Sequence, residues 1–150
     1  MKQLVNILFI LMFCITFAQA QTKAKTSSTS KPVLKTLTCS AGTRGYQEEI
    51  IINEKTVSIH RNERGVSRDT SFSITKKDWQ SLCSSVSKMS MSKISTYKAP
   101  TNLSATDAAL SQQIKIETNK ATYSVPGFDK GHPHPKVKSL ANKISKICGM

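Results

Sequence analysis

The densest set of groups able to do chemistry in this chain is Asp129, His132 and His134, within GFDKGHPHP at residues 127–135. Imidazole and carboxylate bind zinc or copper, and a loop can bring such ligands together. Pro133 and Pro135 oppose that use. They hold the segment extended, so His132 and His134 tend to point in opposite directions, unlike ligands one helical turn apart. The residues predict a rigid strand-to-helix connection instead: Gly127 and Gly131 allow tight turning, Asp129 accepts backbone N–H bonds, and Phe128 plugs the core. Asp107, in APTNLSATDAA at residues 99–109, and Arg44 are available as partners for Asp129 or for each other, holding two loops against a scaffold. No metal or cofactor is expected.

Patterns that would signal an enzyme are missing from the sequence. It has no GxSxG elbow, HExxH helix, CxxC pair, phosphate-cradling glycine loop or dinucleotide fingerprint. Cys83 and Cys148 each fall on an apolar stripe, where a thiol is buried and inert or disulfide-bonded. The expectation is a non-catalytic protein.

The elements that must position these groups follow from periodicity. With Glu54-Lys55 as a two-residue turn, Ile52 faces Val57, Ile50 faces Ile59 and Glu48 faces Arg61. With Asn119-Lys120 as a turn, Ile116 faces Tyr123 and Ile114 faces Val125, while Lys115, Glu117, Thr122 and Ser124 take the other side. Phe72 and Ile74 extend the first hairpin after a loop through Gly65, Leu37 and Cys39 suggest an earlier strand, and His60 falls on the solvent side. Thr75 and Asp78 resemble a capping box with a shorter acid, before a stripe of Trp79, Leu82, Cys83 and Val86. Pro135 opens a second helix, with Val137, Leu140, Ala141, Ile144, Ile147 and Cys148 as its stripe and Gly149 as its end.

The predicted strands lie near 48–53, 56–61, 70–74, 112–117 and 121–125, and the helices near 76–89 and 135–148. The order of strands, helix, hairpin, helix implies an α+β two-layer sandwich, an antiparallel sheet of about five or six strands with both helices on one face. Two stretches, Ser92–Ala109 and Pro126–Pro135, read as loops, the usual place for function.

The first twenty residues read as a secretory signal peptide: Lys2, an apolar run from Ile7 to Phe17, then Ala18-Gln19-Ala20 before Gln21. The run is shorter than the about twenty residues a membrane span needs, so no transmembrane segment is expected after cleavage, and the protein is expected to be periplasmic or extracellular. Residues 21–32 contain no large apolar side chain and read as a flexible basic, Ser/Thr-rich tail; residues 33–150 read as a single domain. Removing Lys2 and Cys14 leaves 21 basic residues against 9 acidic ones, a formal charge of +12, and three cysteines. In an oxidising compartment three cysteines mean one disulfide and one spare. Cys83 and Cys148 form the candidate pair, with Cys39–Cys83, Cys39–Cys148 and a fully reduced state as alternatives.

The charge is compatible with nucleic acid, with anionic envelope polymers, or with a solvated surface that keeps the protein soluble. Specific nucleic-acid binding is not expected, because base stacking needs exposed aromatics and Trp79 and Tyr123 fall on core positions.

At TRGY (43–46), KKDW (76–79), APTNLSATDAA and GFDKGHPHP the chain resembles a group of small secreted bacterial proteins of unassigned function, over most of the domain. It departs from the group where His134-Pro135 stands in place of a prolyl pair. In plan, as a small α+β domain of inhibitor size, it is also similar to emfourin-type inhibitors of bacterial metalloproteases, with no shared residue motif. The expected function is therefore a small exported binding domain that recognises a protein or an anionic envelope polymer. The candidate surface is the Lys98–Asp107 and Gly127–His134 loops, with Asp107, Asp129, His132, His134 and Arg44 as its residues, and the polar, solvent-facing side of the sheet is the other candidate surface. The alternative is an inhibitor of an exported protease.

Overall fold

The computed structural model describes residues 31–106 and 108–150. The expected signal peptide, all but the last two residues of the expected tail, and Asp107 lie outside the described residues. Among the described residues the fold is α+β: six strands, two α-helices and two 3₁₀ turns. The strands are β1 (Leu34–Thr43), β2 (Tyr46–Asn53), β3 (Thr56–Glu63), β4 (Val66–Ser73), β5 (Ser111–Thr118) and β6 (Thr122–Asp129). The helices are α1 (Lys76–Ser87) and α2 (Pro135–Ile147), and the 3₁₀ turns span Met91–Thr96 and Leu103–Thr106.

The strands form one antiparallel sheet in the order β4-β3-β2-β1-β5-β6. Both expected hairpins occur in the expected register, with Ile52 opposite Val57, Ile50 opposite Ile59, Ile116 opposite Tyr123 and Ile114 opposite Val125. The β3–β4 connection is tighter than expected. Arg64 and Gly65 both adopt positive φ, 50° and 88°, which makes a two-residue primed turn whose twist suits a hairpin, so β4 begins at Val66 rather than near residue 70. The expected loop from Pro126 is corrected as well, because β6 continues to Asp129. One extra residue at Pro126-Gly127, opposite Gln113, makes a bulge that absorbs the proline without ending the strand.

Alternation along β1, β2, β3, β5 and β6 buries Leu37, Cys39, Ile50, Ile52, Val57, Ile59, Ile114, Ile116, Val125 and Phe128 in one cluster. Trp79, Leu82 and Val86 of α1 and Val137, Leu140 and Ile144 of α2 join it. Thr75 caps α1, accepting from the Asp78 N–H at 3.1 Å and donating its hydroxyl to the Asp78 carboxylate at 2.6 Å. His134 caps α2, its Nδ1 accepting from the Lys136 N–H at 3.2 Å, and Gly149 follows the helix at φ 69°. Every residue of β4 is exposed, so the core stops one strand short of that edge. Among the described residues, no helix is long and apolar enough to cross a membrane.

Candidate functional site

The two candidate loops do meet, and Asp129 joins them. Its carboxylate, 1% exposed, accepts the Leu103 N–H at 2.6 Å and the Ser104 N–H at 2.8 Å at the start of the second 3₁₀ turn. The nearby Thr101 and Ser104 hydroxyls and these two N–H groups hold the Asp129 carboxyl far below the ordinary carboxylate range, against the opposing effect of burial. Thr101 Oγ1 is buried short of hydrogen-bond geometry, so the two backbone bonds are the contacts fixed by distance. Tyr97 and His134 stack with ring centroids 4.5 Å apart and planes 5° apart. His132 is exposed, and its N–H donates to the Asp129 carbonyl at 2.8 Å. Arg44 does not bond Asp129: it is exposed in the β1–β2 turn, and the Asp129 carboxylate is met by the Leu103 and Ser104 N–H groups.

A second polar cluster ties the sheet's centre to the end of β6. Buried Glu48 accepts from Arg61 Nε at 2.7 Å, from Lys130 Nζ at 2.9 Å and from the Tyr46 hydroxyl at 3.1 Å. Burial alone would raise its carboxyl, but the bonds from Lys130 and Arg61 outweigh that and hold it below its usual value. Gln112 Nε2 donates to Cys39 Sγ at 2.9 Å beneath this cluster.

Cys39, Cys83 and Cys148 are free thiols in this structure, so the candidate Cys83–Cys148 bond is not formed in it. Burial raises all three thiols. Cys148 reaches about 11, pushed further by the nearness of Cys39 and Glu48. Protonated at neutral pH, they are weak nucleophiles. Among the described residues, no group of three or more His, Cys, Asp or Glu side chains lies close enough to hold a metal ion.

The sheet's other side, the second candidate surface, holds a feature whose residues the sequence did not single out. Side chains directly opposite one another across five strands form a polar row, Gln113–Ser40–Glu49–His60–Asp69, in which His60 Nδ1 and Asp69 Oδ1 are 2.9 Å apart. The next row is Ser111–Gly42–Gln47–Asn62–Ser67. Together these rows line a hollow of about 610 Å³. Ala41, Glu48, Arg61 and Gln112 also border it, but they alternate with the row residues and so contribute backbone. Gly42 supplies the floor. It has no side chain to fill the second row, and a Cβ there would sit 3.1 Å from the Tyr46 carbonyl oxygen.

Around this hollow, Ser40, Gln47, Glu49, Ser111 and Gln113 make no side-chain hydrogen bond among the described residues. Asn62 and Ser67 bond each other at 3.0 Å. The signal that could have found the site is the pair of cross-strand rows. Each residue taken singly is an ordinary solvent-facing polar residue, and only the register places amides, hydroxyls and a carboxylate side by side. Comparison with protein-family models, with curated protein sequences and with solved structures found no match to this chain.

Proposed function

We propose that this chain is a small exported recognition domain, without catalytic activity, that holds a polar macromolecule against the hollow on the sheet's polar side. The domain is read as a two-layer sandwich with both helices on the apolar face, which leaves the polar face open to a partner. One observation carries the reading: the hollow is ringed by five polar side chains not spent on internal bonds, whereas Asp129 and His134 of the loops are spent on holding one loop to another. These loops are tied to the scaffold by the Asp129 bonds and the Tyr97–His134 stack. The binding surface therefore moves from the loops to the sheet.

Amides and hydroxyls beside Glu49 suit a partner that presents amide, hydroxyl or amino groups, such as another secreted protein. Glu49 and Asp69 repel a polyanion from the hollow. A second reading, association with an anionic envelope polymer, is favoured by α2, which carries Lys136, Lys138, Lys143 and Lys146 and no acidic residue. Lys143 already donates to the Ser81 carbonyl and the Ser85 hydroxyl, which leaves Lys136, Lys138 and Lys146 for that role.

The test is a pull-down from the source's own envelope and culture-medium fractions, using the tagged chain from Gln21 and a Gln47→Ala/Gln113→Ala variant. The expected result is a partner retained as salt is raised and lost from the double variant, with melting unchanged. Capture by the variant equal to wild type overturns the reading. Loss only in Lys136→Ala/Lys138→Ala, with strong salt dependence, favours the polymer instead. A one-to-one complex with a protease that survives both variants returns the inhibitor reading.

A further inference from the structure

We propose that the free edge of β4 is where a second copy of this chain pairs, antiparallel and in one register, so that the polar face continues across a two-fold axis. The first observation is that this edge is long and straight. β4 has eight residues, all exposed, pairs with β3 without a register shift, and contains no Pro, Lys or Gly. Proteins keep edge strands from pairing with bulges, prolines and charged side chains; β4 has no bulge or proline, and its charged residues are Arg68 and Asp69, of opposite sign. It also leaves Val66 59% and Phe72 38% exposed.

The second observation is charge. A chain at +12 repels its own copies, but Arg68 and Asp69 cancel within β4, so this edge is a locally neutral place of approach.

Symmetry then selects the register. A two-fold axis through an antiparallel strand pair sets one residue opposite itself, and residues opposite one another share a face. An axis at Arg68 opposes two guanidinium groups, and an axis at Asp69 opposes two carboxylates; like charges directly opposite destabilise a pair. An axis at Thr70 opposes two hydroxyls and pairs Ser67 through Ser73 of the two copies. It sets Asp69 across from the partner's Ser71, and Arg68 across from the partner's Phe72, where a guanidinium can lie on the aromatic face. Asp69 borders the hollow, so the partner's Ser71 would extend its wall. The proposal stands independently of what the hollow binds.

Sedimentation of the chain from Gln21 across a concentration series is expected to show a monomer–dimer equilibrium. Thr70→Arg, which opposes two cations on the axis, is expected to shift it to monomer without changing the melting of the monomer. In a Cys83→Ser/Cys148→Ser background, oxidised Thr70→Cys is expected to cross-link as a dimer and Asp69→Cys to remain uncross-linked. A monomer at every soluble concentration overturns the proposal, as does a dimer that survives Thr70→Arg or cross-links through Asp69→Cys. Should Thr70→Arg fail to fold, Phe72→Ala, which removes the partner for Arg68, is expected to weaken the dimer. An undiminished dimer in that variant likewise overturns the register.

Discussion

At one edge of the sheet, β6 carries Pro126 and Gly127 in a bulge, is in contact with both 3₁₀ turns, and anchors one of them through Asp129. At the other, β4 runs eight residues without a bulge, proline or lysine, and nothing buries it. The carboxylate at the β6 edge is consumed by the scaffold, and the polar side chains Ser67, Asp69 and Ser71 of β4 bond to β3, while Ser40, Gln47, Glu49, Ser111 and Gln113 on the strands between remain available. A dense cluster of acids and imidazoles can therefore be structural, and a plain run of serines and amides can be the surface that meets a partner.

Substitutions can break or sharpen this contrast. The largest loss of stability is expected from Asp129→Ala, which leaves the Leu103 and Ser104 N–H groups without their acceptor and releases the turn from β6; thermal melting should drop further than for any β4 variant. The acid side of the same effect has a definite sign. A carboxyl held below its unfolded value stabilises the fold fully above about pH 5 and loses that contribution as the pH falls through the folded-state value. Wild-type melting should fall from about pH 5 toward pH 3, as Asp129 and Glu48 both require, and the fall should be smaller in Asp129→Asn.

Next comes Glu48→Gln, which leaves Arg61 and Lys130 without their shared anion. Because Arg61 is 40% exposed and water recovers part of the loss, a cost of about 1–3 kcal/mol in denaturant unfolding is expected. Tyr97→Ala removes the stack on His134 and is expected to cost about 1 kcal/mol, with little effect on Asp129's bonds. The smallest effect belongs to the bare edge: Ser71→Ala should shift monomer stability by less than about 0.5 kcal/mol. A larger loss there would mean that β4 is held by more than its ladder to β3.

Much of the fold was legible because apolar residues set the register. Ile50, Ile52, Val57 and Ile59 share one side only if Glu54-Lys55 is the turn, and a slip of one residue would turn them all to water. The start of β4 was not legible, since SRDTS has little β-branched or aromatic content and its pairing depends on the Arg64-Gly65 turn. Pro126 and Gly127 looked like a loop because a bulge has the composition of one. Of the site, the structural duty of Asp129 and the solvent position of His60 could be anticipated. The hollow could not, since it depends on Gly42 and on side chains brought together across five strands.

The central position of β1 also bears on how the chain folds. β1 through β4 are joined by short turns and can form locally, but β5 reaches β1 only after α1 and both 3₁₀ turns have been made. Closing that long loop is the non-local and therefore slow step of assembly. During N-to-C synthesis the early sheet has two open edges, and one of them is β1, whose Leu37 and Cys39 become almost wholly buried in the finished fold. The interval before the C-terminal hairpin docks is when the chain is most exposed to misassociation.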